Sequence, residues 1–116
     1  MSRSWRLRLA DQAERDLQAI ANWTTENFGL RQAEVYLETV TQAIEALHNG
    51  PDIPGARERS EIGPGIRTVH VSRRGRKGRH FVIFRVADEM TIDIVRVLHD
   101  SMDLVKHLPD SNDQAH

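Results

Sequence analysis

The chain has 116 residues, 39% of them hydrophobic and 28% charged, which is enough apolar material for one core and too short for two independent ones. The 16 Lys and Arg against 17 Asp and Glu leave a net charge of −1, which by itself implies no polyanionic partner. The absence of cysteine excludes disulfides, thiolate metal sites and cysteine nucleophiles, and fits a reducing cytoplasm.

No apolar run approaches the roughly 20 residues of a membrane span; the longest, Phe81–Phe84, is the size of a strand. Met1–Arg6 lacks the apolar core of a signal peptide, so a cytoplasmic protein without a membrane role is expected. A single domain over residues 1–108 is expected, with 109–116 as a disordered tail.

Trp5, Leu7 and Leu9 alternate with Arg6 and Arg8, the period of a half-buried strand. Asp11, with Glu14 three residues on, is expected to cap a helix running to Phe28 and stopped by Gly29. Its apolar face is expected to hold Ala13, Leu17, Ile20, Ala21 and Phe28, with Trp23 off that stripe. A second helix is expected from Leu30 to His48, with Ala33, Leu37, Val40, Ile44 and Leu47 as its buried stripe. So short a connection makes the two helices an antiparallel hairpin. Residues 50–65, rich in Pro and Gly, read as a loop. Three strands are expected at Ile66–Val71, His80–Val86 and Thr91–His99, turning at the tip Ser72–Gly78 and at Ala87–Glu89. In the last strand Ile92, Ile94, Arg96 and Leu98 should share one face. A short helix is expected over Ser101–Leu108. The order β-α-α-β-β-β describes an α+β domain of two layers, an αα-hairpin packed on one face of a mainly antiparallel sheet.

Charge is distributed unevenly along this order. From Ile66 to Val86 the chain carries Arg67, Arg73, Arg74, Arg76, Lys77, Arg79 and Arg85 and no acid. The flanking regions are acidic, so the sheet is expected to present a cation-rich platform to other macromolecules. The tip Arg73–Lys77 reads equally well as a solvated hairpin turn.

Few chemistries survive inspection. The one close set of metal-type ligands is His99, Asp103 and His107, at gaps of four. Surface or capping roles account for it, and no metal or cofactor is expected. Glycine loops for nucleotides and the GxSxG and HExxH motifs are absent. Metal-independent RNA cleavage remains open, since Arg67, His70, His80, Arg85, Arg96 and His99 could supply acid, base and cations; exposed or cross-strand-paired side chains are the alternative.

Asp16-Leu17, Ile20, Trp23, Phe28-Gly29, Gln32-Ala33 and Tyr36-Leu37 resemble the opening of ParE toxins, within the RelE/ParE toxin superfamily. The resemblance continues through Gly65-Ile66-Arg67, Arg79–Val86 and Ile94–His99, and closes with Ser101-Met102-Asp103 and His107-Leu108. It implies the toxin of a type II toxin–antitoxin system, neutralised by a ParD-like ribbon-helix-helix antitoxin that alone contacts operator DNA. It further implies poisoning of DNA gyrase without catalysis. The mRNA-cleaving alternative of RelE relatives would use Arg67, Arg85 and His99. The last tyrosine, however, is Tyr36, and Asp100 and Asp103 follow His99, which favours the gyrase reading. A third alternative is a binding module with no toxicity. The expected antitoxin contacts are Trp5, Leu7, Leu9, Trp23, Phe28, Tyr36, Arg67, Arg79 and Arg85, with Arg96, His99 and Asp103 facing the target.

Overall fold

The computed structural model describes residues 4–107. The tail expected at 109–116 lies outside these residues. The elements are β1 (Arg6–Leu9), α1 (Asp11–Phe28), α2 (Leu30–Glu45), a 3-10 turn (Ala46–Asn49), β2 (Arg57–Glu58), β3 (Arg67–His70), β4 (His80–Asp88), β5 (Thr91–His99) and α3 (Leu104–His107). The sheet order is β1-β5-β4-β3-β2, antiparallel except for the parallel pair β1–β5. The α+β architecture matches the sequence reading. The additional strand β2 lies inside the expected loop, where Arg57 and Glu58 pair with Thr68 and Arg67.

Asp11 is not the helix cap. Ala10 occupies that position, because its N–H is already given to the Ile94 carbonyl at 3.0 Å and the chain turns from the sheet edge directly into α1. Asp11 and Glu14 instead occupy the first turn, where carboxylates complement the positive end of the helix dipole. Gly29 both ends α1 and precedes α2: its N–H donates to Thr25 and its carbonyl accepts from Ala33, at a φ of 93° that favours glycine. The second helix tightens into 3-10 geometry after Glu45, short of the expected His48.

The main core lies between the hairpin and the sheet. Ala13, Val40, Ala43 and Leu47 meet Val69, Val71, Val82, Phe84, Ile92, Ile94 and Val97. The buried face of α2 includes Ala33, Val40 and Leu47 of the expected stripe and widens to take in Thr39 and Ala43, while Leu37 and Ile44 are only half-buried. The opposite sheet face is also covered. Ile83 and Leu98 alternate with the main-core residues and join Ile62, Ile66 and Leu104 in a second cluster beneath the 59–66 loop and α3. The two-layer expectation thus gains a partial third layer.

One irregularity changes which residues share a face. Ile83 pairs with Arg96 but Phe84 pairs with Ile94, leaving Val95 as a bulge in β5. Val97 consequently joins Ile92 and Ile94 in the main core, and Leu98 points the other way, against the expected grouping. Asp16 of α1 holds the bulge in place. It accepts hydrogen bonds from Arg96 Nε at 2.8 Å, Arg96 Nη2 at 2.9 Å and the Val97 N–H at 2.9 Å.

Candidate partner-binding groove

A concavity of about 1100 Å³ opens between the C-terminal half of α1, the start of α2, the chain leading into β4, and the turn after β5. Ile20, Trp23, Phe28, Tyr36 and Met102 supply apolar wall, and Lys77, Arg79, His80 and His99 supply polar groups. No α1 residue beyond Thr24 is buried, so its last turn stands clear of the core. Trp23 and Phe28 there are 59% and 64% exposed, their rings edge-to-face at 5.8 Å. Two large exposed rings in mutual contact form the kind of apolar anchor that protein interfaces bury.

The floor is a polar network. The Tyr36 hydroxyl lies 2.7 Å from His80 Nδ1 and accepts the Arg79 N–H at 2.9 Å. Burial, reinforced by the nearby His99, lowers the His80 pKa to about 4, and burial raises that of Tyr36. Asp100 receives Arg79 at 3.1 Å and His70 Nε2 at 3.0 Å, and these partners, Arg79 first, hold its pKa at about 2. Gly78 lets the segment between the tip and β4 lie close to the core: a Cβ there would collide with Val71 and press on the Tyr36 hydroxyl.

Of the residues singled out from sequence, the groove gathers Trp23, Phe28, Tyr36, Arg79 and His99. The others lie elsewhere. Trp5 and Leu7 pack on the main core, and Leu9 is exposed at the sheet edge. Arg67 is bound to the Pro51 carbonyl and the Asp52 carboxylate. Arg85 follows the inward Phe84 and points to the opposite face. Arg96 is held against Asp16 with side-chain exposures of 15% and 11%. Asp103 Oδ1 accepts the Val105 N–H at the start of α3, and the side chain of His107 lies outside the described residues. The expected cationic platform is therefore not formed. Arg67 and Arg85 sit on opposite faces, and Arg67 and His99 are four β4 positions apart, roughly 13 Å along the sheet.

The tip is an ordered turn. Arg74 and Gly75 have φ of 54° and 79°, Arg76 N–H closes on the Arg73 carbonyl, and Arg76 Nε reaches Thr39 Oγ1 at 2.9 Å. Sequence reasoning missed Lys77, Gly78 and Met102 as groove residues, and Asp100 as the hub of the floor. Only the off-stripe position of Trp23 signalled the groove.

Residues 7–104 match the family described as ParE toxin of type II toxin–antitoxin system, parDE. The chain is 37% identical over 105 residues to Toxin ParE1 of Mycobacterium tuberculosis, covering 90% of this chain and 99% of that protein. It is 31% identical to Toxin ParE1 of Caulobacter vibrioides over 101 residues, 87% of this chain and 95% of that one. A solved structure of the chromosomal ParDE system from P. aeruginosa has the same fold, with a TM-score of 0.69 at 22% identity over 84% of this chain and 98% of that one. The chain belongs to the ParE family, as the toxin of a type II toxin–antitoxin system.

Proposed function

We propose that this toxin is neutralised by a ParD-like antitoxin whose C-terminal segment lies in the groove, and that the free toxin poisons DNA gyrase in the cytoplasm by binding, without turning over a substrate. The observation that carries the antitoxin contact is the exposed Trp23–Phe28 pair set in an apolar groove, a fit for the hydrophobic side of an amphipathic helix. Operator DNA is reached only through the antitoxin: Arg67, Arg76, Arg79 and Arg96 are paired with carboxylates within the chain, which leaves fewer cations to meet phosphates. The separation of Arg67, Arg85 and His99 supports binding over RNA cleavage, which needs its acid, base and cation within reach of one phosphate.

Inducing the toxin in growing cells tests the target. Accumulation of gyrase-linked DNA breaks with intact transcripts is the expected result. Transcript cleavage without trapped breaks would establish the endonuclease instead, and normal growth with abundant soluble protein would establish a non-toxic binding module.

A further inference from the structure

We propose that the floor of the groove is a carboxylate receptor: an acidic side chain on the apolar partner segment docks against the Nε2–H groups of His80 and His99, with uptake of a proton. This rests on the reading that the groove takes the antitoxin segment, and it adds the chemistry by which the segment is selected.

The hydrogen bonds fix how the rings are used. Ser101 N–H donates to His99 Nδ1 at 3.1 Å, and Ser72 N–H donates to His70 Nδ1 at 3.0 Å. At His80, Nδ1 is the one acceptor that the described residues offer the Tyr36 proton, so the Nε2–H tautomer satisfies both groups. Each ring therefore carries its hydrogen on Nε2. That of His70 is satisfied by Asp100. Those of His80 and His99 have no partner among the described residues, and no buried side-chain nitrogen or oxygen is left unsatisfied. Both therefore open to the groove that the two rings line, their centroids 5.2 Å apart.

Two donors that line one groove, on rings set nearly perpendicular at 82°, can be met by the two oxygens of a single carboxylate. A carboxylate fits the charge as well, because Lys77 lines the same space. The groups around His80 are Tyr36 from α2, His99 and Asp100 from the end of β5, His70 from β3, Asp16 from α1, and its neighbour Arg79. The two carboxylates among them are engaged, Asp100 by Arg79 and His70, Asp16 by Arg96 and Val97. An incoming carboxylate would thus supply the first anion bonded directly to His80. Bonded to the ring, it favours the imidazolium and raises the ring's pKa.

Titrating the imidazole resonances by NMR, in the free toxin and in its complex with the antitoxin encoded beside it, tests this directly. The His80 midpoint should rise on binding. A rise of about two units would make binding roughly fourfold tighter at pH 5.5 than at pH 8. His99→Ala should weaken the complex at both pH values. Identical His80 midpoints in free and bound toxin, or unchanged affinity in His99→Ala, would overturn the proposal. Trp23→Ala separates the two levels: if it weakens binding while the histidine results are negative, only the carboxylate receptor fails; if it changes nothing, the groove reading fails.

Discussion

His80 ties the stability of this fold to pH. Its folded pKa of about 4 lies below the ordinary 6.5, so the unfolded chain binds the proton more readily. Stability is therefore full above about pH 6.5 and falls progressively as the pH drops toward 4. Asp100 acts lower: its carboxylate, held near 2 against the usual 3.8, contributes stability that is lost as the pH falls below 3.8. Thermal melts between pH 8 and 4 should show the first decline near 6.5, and His80→Gln should flatten it. Gly78 imposes a different constraint, since any side chain there enters space held by Val71 and Tyr36. Gly78→Ala should cost roughly 1–3 kcal/mol in chemical denaturation, the range for overpacking a core. Neither residue announced its role in the sequence. The Tyr36–His80 contact spans 44 positions, and a lone glycine beside a basic tip reads as turn chemistry.

Among the elements, local pattern fixed some boundaries and missed others. β5 runs from Thr91 to His99 as expected, because a nine-residue segment rich in Ile and Val and bounded by turns has few alternatives. The bulge at Val95 was invisible, since it depends on the hydrogen bonds Asp16 offers from a helix 80 residues away. On α2 the expected Ala33, Val40 and Leu47 are buried, but the buried face is wider than the apolar stripe, taking in Thr39 and Ala43 and leaving Leu37 half-buried. Leu47→Ala should accordingly cost about 2–5 kcal/mol, and Leu37→Ala less than half as much, measured by urea unfolding. Phe28 illustrates the converse error. Helical periodicity placed it on the buried face, but the helix outruns the core and the ring stays in water.

Over the whole molecule, stability and binding are served by different side chains. Both sheet faces are covered, one by the hairpin and one by the 59–66 loop with α3, and the groove remains at one end. Trp23→Ala should therefore leave the unfolding free energy within about 0.5 kcal/mol. It should weaken antitoxin binding by about 2 kcal/mol or more, as loss of a central aromatic anchor does. Calorimetry on the same preparation would measure both quantities.

The sheet order also sets a timetable. β1, the first of the described elements, pairs with β5, the last of the strands, and the groove requires His99 and Met102. A nascent chain thus holds an unpaired first strand and half a binding site until translation has passed residue 102. On the proposed groove contact, a product truncated before residue 102 would draw no antitoxin away from completed toxin.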